Sequence, residues 1–390
     1  MTSWNSHVKQ TLTFVSFLAE IIMDIAAQMC SKHLDLTSAV VKATLSKALT
    51  SLGKHLFYGI TPDTLNTYGR AWSRWCEFMH TLGLTPLDGD PLLVSLHLAE
   101  ILEDSLEDQI GASRMQSARS AVNFFYTAAG RVSPTVGPQV ALLMRSASRV
   151  LTAQPLERDL LPLEGMTRLL EFHVVDSPTC SLRTLMHLTV FLLMYLGLFR
   201  FSDAAMFLVH EDLLRFEYKD GVLDGVMIYI CKSKTDQGWV GKWVALGATG
   251  TRFCPVRLLQ RLLEKGRYVT FHESDDCGPL LRAVRVVPGG HVLSKVTSPM
   301  ASPISSLSYT AFNTSLKELV TAAGILGHIT CHSARISGST VYYLLPDVEL
   351  QLVRSLGRWA PACTFDRTYA RPLALARDDF FRLTRSVWRF

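Results

Sequence analysis

The sequence predicts a mainly α-helical protein with a small β-sheet, an α+β chain in which a helical N-terminal domain precedes a mixed α/β domain. Three observations predict it. Up to residue 152, apolar side chains recur at helical spacing between Gly, Pro, Ser and Asp punctuation. From about 163 the pattern changes, and "GVMIYICKSK" and "GKWVALG" flank a Gly-containing turn as the two arms of a hairpin. The length of 390 residues and a hydrophobic content of 48% suffice for two or three domains with sizeable cores.

Taken in order, residues 1–60 read as a helical extension, broken near "HLDLTS", with no motif and no assignable role. At 59–84, "GITPDTLNTYGRAWSRWCEFMHTLGL", Thr61 and Pro62 supply a cap and a first-position proline. Tyr68, Trp72, Trp75, Phe78 and Met79 then fall at helical spacing. Further helices are expected over 91–105, 111–129 and 137–152, so 61–152 reads as a four-helix domain. "AQPLERDLLP" forms a linker at 153–162, and 163–390 the second domain. There, helices are expected at 163–175, 181–197, 255–265, 308–323, 332–345 and 347–357, and in the tail from about 373. The stretch 270–307, rich in Pro, Gly and Ser, reads as loop.

Charge is unevenly placed. Residues 1–160 carry 13 Lys/Arg against 14 Asp/Glu, whereas 161–390 carry 26 against 20. The last stretch, 354–390, has eight arginines, no lysine and three aspartates. A basic C-terminal half fits a polyanionic partner as well as it fits a solvated surface. The eight cysteines are scattered, without CxxC or metal-ligand spacing, so reduced thiols in an intracellular protein are expected, with no metal and no cofactor. "TLTFVSFLAEIIMDIAAQMC" (11–30) is interrupted by Glu20 and Asp24, too short an apolar run for a membrane span.

Several charged residues stand where a purely structural helix has no need of them. In "TCHSARISGST" (330–340), His332 and Arg335 lie one helical turn apart among small residues. In "FLLMYLGLFRFSDAAMFLV" (191–209), Arg200 follows an apolar helix directly. Desolvating it is costly unless it meets an anion, and either Asp203 or a bound phosphate serves. Lys232 and Lys234 share one face of the hairpin, where they guard a sheet edge or reach a groove as proton donors. In "RSLGRWAPACTFDRTYARPL" (354–373), a helix stops at Gly357, Trp359 follows, and Tyr369 lies ten residues on. Attack on a phosphodiester by a tyrosine hydroxyl needs this set: a nucleophile, two guanidiniums on the non-bridging oxygens, a base and an acid.

With these residues in that order, the chain resembles the tyrosine recombinase (phage-integrase-like) superfamily. "LGLFRFSDA" is similar to its first-arginine box, "KSKTDQGW" to its hairpin lysine segment, and "CHSARIS" to the His-x-x-Arg box in its Cre-like form. "SLGRWAPACTFDRTY" resembles the closing Gly-x-Trp…Tyr box. The resemblance covers roughly 60–390, and makes 61–152 the core-binding domain that clamps DNA and 163–390 the catalytic domain. It implies that Tyr369 forms a 3′-phosphotyrosyl bond and that Arg200 and Arg335 clamp the scissile phosphate. It gives His332 proton transfer, Trp359 an indole N–H to the phosphate, and Lys234 the role of general acid with Lys232 in reserve. Asp203 falls where an acidic residue supports the first arginine. The spacing from Trp359 to Tyr369 is a residue or so longer than usual, so the tyrosine loop is expected to differ. Tyr342 and Tyr343 fall inside an apolar helix and are expected in the core.

The implied function is a site-specific DNA recombinase, working as a homotetramer on paired double-stranded sites, without cofactor, metal or membrane. The tail after Tyr369 would dock on a neighbouring subunit. The Gly-Arg-Trp form looks like Crypton- or DIRS-like mobile elements, which puts the protein with DNA inside the cell, in the nucleus if the host is eukaryotic. A second reading keeps the chemistry in a type IB topoisomerase or telomere resolvase. A third is a non-catalytic DNA-binding descendant, for which a nucleophile has no use.

Overall fold

The computed structural model describes residues 59–151, 159–231, 233, 240–268, 278–288, 290–294, 306–345 and 348–359, with scattered positions between 38 and 51. The chain divides into two compact units, Met1–Pro155 and Leu156–Phe390.

In the first unit, α1 (Pro62–Thr81) begins where the Thr61 hydroxyl accepts from the Thr64 N–H. The Asp90 carboxylate caps α2 (Pro91–Glu107) by accepting from the Leu93 N–H at 2.9 Å. α3 (Ser113–Ala128) follows, then one 3-10 turn at Pro134–Val136 and α4 (Pro138–Val150). The expected helices all form, with boundaries within a few residues of the expected ones. Trp72, Trp75 and Met79 on α1 bury against Phe125 and Tyr126 on α3 and Val94 and Leu98 on α2. The Trp72 and Phe125 rings stand 4.7 Å apart.

The second unit is organised around a buried helix. After α5 (Leu163–Phe172) comes α6 (Leu182–Leu196), apolar nearly all round and buried along most of its length, as such a helix must be. A short α7 (Phe201–Ala204) leads to an antiparallel sheet of β1 (Leu214–Lys219), β2 (Val222–Ile230) and β3 (Lys242–Gly247), in that order. Val226, Ile228 and Ile230 alternate into the core, and Tyr229 pairs with Trp243 across the ladder. Next come α8 (Pro255–Gly266) and a second hairpin, β4 (Val284–Val287) and β5 (Gly290–Leu293). The chain continues through α9 (Tyr309–Ala322), α10 (Cys331–Leu344) and α11 (Leu350–Gly357).

Two elements correct the sequence expectation. β1 was not expected, and β4–β5 lies inside the stretch read as loop. Both present mainly exposed or half-exposed side chains, so neither carries the clean alternation that marks a half-buried strand. The helical readings of 1–60 and of the tail beyond 373 fall outside the described residues, apart from the scattered positions. Among the described residues no helix is long and apolar enough to cross a membrane.

Candidate active site

α10 explains the run of small residues around His332 and Arg335. Its face from Ser333 to Thr340 is buried throughout. The Ser339 and Thr340 hydroxyls donate back to the Arg335 and Ile336 carbonyls, each at 2.8 Å, and the Ser337 hydroxyl accepts from the Leu161 N–H at 2.8 Å. At Gly338 the helix passes so near α6 that an added Cβ would stand 1.9 Å from the Tyr195 carbonyl oxygen. Small side chains therefore let α10 sink into the core and carry Arg335 with it. The helix starts at Thr330, whose N–H donates to the Ser333 hydroxyl at 3.1 Å, while the Cys331 N–H donates to Asn313 at 3.0 Å. His332 lies half-buried in this first turn.

Arg335 is fully buried. Its Nη1 donates to the Leu198 carbonyl and its Nη2 to the Gly357 carbonyl. Its guanidinium lies 4.2 Å from the centroid of the Trp359 ring, a stacked cation–π contact. One fork thus joins the turn after α6 to the turn after α11. Both turns are left-handed at a non-glycine residue, Leu198 at φ 52° and Arg358 at φ 57°. Such positions typically cost of order 1–3 kcal/mol and persist only where their surroundings hold them. Trp359 packs with Leu198, Ile336 and Val353 in a small cluster of its own.

Arg200 stands at the mouth of this arrangement, just before α7. Asp203 is fully buried, and its Oδ2 accepts from the Arg200 backbone N–H at 2.9 Å. The sequence reading expected the carboxylate to hold the Arg200 guanidinium. Instead the guanidinium it pairs with is that of Arg358, whose Nη2 donates to the same Oδ2 at 2.6 Å. The pair is desolvated, with side-chain exposures of 7% and 0%. Burial pulls the Arg358 pKa below its ordinary value, Asp203 pushes it back up, and the charge of Arg200 lowers it again. Among the described residues, Nη1 of Arg200, Nε and Nη1 of Arg358 and Oδ1 of Asp203 are buried without a hydrogen-bond partner.

The structure therefore links Arg200, Asp203, Arg335 and Trp359 through Arg358 and its turn, with His332 one helical turn before Arg335 on α10. Lys232 and Lys234, in the connection between β2 and β3, and Tyr369 lie outside the described residues. Arg358 is the residue that sequence reasoning passed over. Its signal was indirect: a buried aspartate needs a cation, and "GRW" offers one beside the tryptophan. Two other groups on α10 are poorly set up as nucleophiles. The Tyr342 hydroxyl donates to the Leu196 carbonyl at 3.0 Å and burial raises its pKa. Burial pushes the Cys331 thiol up to about 12.

Chemically, Arg358 and Arg200 beside the single Asp203 carboxylate leave an excess of positive charge, with N–H groups of both arginines unpartnered among the described residues. That is a site for an anion carrying several acceptor oxygens.

No protein-family model matches the sequence, and no curated protein matches it by sequence. Similarity to solved structures is extensive. The XerH site-specific recombinase bound to palindromic difH substrate, a post-cleavage complex, is 14% identical at a TM-score of 0.54, covering 96% of each chain. XerH in its pre-cleavage complex with difH is 15% identical at 0.52, covering 93% of this chain and 95% of that one. The chain has the α+β fold of the tyrosine recombinases.

Proposed function

We propose that this protein is a site-specific DNA recombinase of the tyrosine type, serving a mobile element and working on paired double-stranded sites as a tetramer. The observation that carries the reading is the buried linkage of Arg358 with Asp203 at the Arg200 backbone, next to Arg335 held by the Leu198 and Gly357 carbonyls and covered by Trp359. A fold shared with recombinases that are themselves seen on difH DNA supports it.

In this reading the Tyr369 hydroxyl attacks the scissile phosphorus, the P–O5′ bond breaks, and a 3′-phosphotyrosyl ester forms. The tyrosine proton passes toward His332, and the departing 5′ oxygen takes a proton from Lys234, with Lys232 in reserve. Arg200 and Arg335 hold the non-bridging oxygens as charge builds there. The Leu198 and Gly357 carbonyls fix the Arg335 guanidinium for that contact. Trp359 covers the guanidinium of Arg335 and turns its indole N–H toward the same anion. The N-terminus of α10 lends its dipole to that charge. Reversal by an incoming 5′ hydroxyl rejoins the strand with no net loss of phosphodiester bonds.

Covalent trapping tests this. Nicked duplex DNA from the sequences flanking the gene, incubated with wild type, should give a protein–DNA adduct on a denaturing gel. Tyr369→Phe should give none while still binding DNA in a salt-sensitive way. Arg200→Met should slow adduct formation on the order of 10²–10³-fold. An adduct of normal yield in Tyr369→Phe removes that residue as nucleophile. Binding without an adduct in wild type favours a descendant that only binds DNA.

A further inference from the structure

The Arg358–Asp203 pair is expensive in a way that packing does not explain. Arg358 occupies a left-handed position, φ 57° and ψ 41°, where glycine is the default residue. Its side chain is 7% exposed and its guanidinium lies 5.0 Å from the Phe199 ring centroid. Only Nη2 is used on the carboxylate, and among the described residues Nε and Nη1 are buried with no partner. Arg200, close enough to lower the Arg358 pKa through its charge, has its own unpartnered buried Nη1. An ion pair built only to neutralise Asp203 would not leave three cationic donor atoms unmatched around it.

We propose that Arg358 is a third phosphate-binding cation, with Nε and Nη1 directed at the oxygens that Arg200 also grips. Asp203 is the positioning residue that holds Arg358 and the Arg200 backbone together. Asp203 takes the charge of one guanidinium and leaves the other for the ligand. The ligand class is a tetrahedral or trigonal-bipyramidal oxyanion, and within the proposed recombinase that is the scissile phosphate. The assignment to the scissile phosphate rests on that reading, whereas the anion site itself does not.

The test uses the full-length protein and orthovanadate, a phosphate-like oxyanion, with affinity read from the concentration dependence of thermal stabilisation. Wild type should be stabilised in a saturable manner. Arg358→Met alone leaves Asp203 buried without its cation and is open to misfolding, so the informative variant is the double Asp203→Asn, Arg358→Met. Removing both charges in near-isosteric form should keep the melting temperature near wild type. Its vanadate affinity should nonetheless fall on the order of tenfold or more, from the lost charge-assisted bonds. Arg358→Lys should recover part of that loss. A double variant that binds vanadate like wild type overturns the proposal, as does a wild type that vanadate does not stabilise. The trapping gel stands apart. Absence of an adduct in wild type removes the recombinase reading without altering the vanadate result.

Discussion

The two units bury polar groups on opposite terms. In the helical unit two of the buried aromatic side chains have their polar atoms satisfied by backbone. The Trp75 indole N–H donates to the Pro86 carbonyl at 2.8 Å. The Tyr126 hydroxyl donates to the same carbonyl at 2.9 Å and accepts from the Gly89 N–H at 2.7 Å. Around α10 the second unit buries Arg335, Asp203 and most of Arg358, and among the described residues Nε and Nη1 of Arg358 and Oδ1 of Asp203 have no hydrogen-bond partner. The first arrangement stabilises the fold by burying apolar area and costs little in desolvation. The second carries a desolvation cost that an anion bound at the proposed site would offset. The contrast separates a scaffold from a site, and it can be pressed by mutation.

The largest effect should come from Asp203→Ala. It removes the anion and leaves Arg358 buried and uncompensated beside Arg200, a change that typically costs about 3–5 kcal/mol. Denaturant unfolding should show the loss in the second unit's transition, and the Asp203→Asn, Arg358→Met double should recover most of it. A single variant as stable as wild type would mean that the pair is solvated, and the contrast between units would lose its basis.

Next in size is Gly338→Ala, expected to cost about 1–3 kcal/mol through overpacking. The added methyl meets a backbone oxygen of α6 rather than a movable side chain. α10 must shift, and Arg335 moves away from the Leu198 and Gly357 carbonyls. Adduct formation should therefore fall further than stability alone explains, which comparison with an equally destabilising change at Val140 on α4 would reveal. Equal loss of activity in the two variants would make Arg335's placement incidental.

How much of this was legible in the sequence follows from the same contrast. The helices were readable because Thr61–Pro62 and Asp90–Pro91 mark starts by local chemistry and because Trp72, Trp75 and Met79 mark one face. Arg200, His332 and Arg335 stood out as charges set against apolar or small neighbours, where an ordinary core helix has none. β1 and the β4–β5 hairpin were hidden because strands exposed on both faces have no alternation to read. Arg358 was hidden for a different reason. Its meaning depends on a left-handed turn and on a partner 155 residues away, and neither leaves a local pattern.

The smallest effect tests the helical unit at a departure from satisfied burial. His97 is 4% exposed, lies between the rings of Trp75 (5.4 Å) and Phe78 (5.1 Å), and has no partner for either ring nitrogen among the described residues. Burial first, and the charge of Arg74 second, lower its pKa to about 4. Below pH 6.5 the unfolded chain takes up a proton at this imidazole that the folded unit refuses, so stability falls with pH between 6.5 and about 4. At pH 5.5 the loss should be about 1 kcal/mol. His97→Phe keeps a ring in the cluster and removes the proton site, so this part of the acid slope should be absent from the variant, and the stability difference should move in the variant's favour as pH falls across that window. Acid sensitivity unchanged in His97→Phe would mean that the imidazole is hydrated. His97 would then be satisfied like Trp75 and Tyr126, and the contrast with the second unit would sharpen.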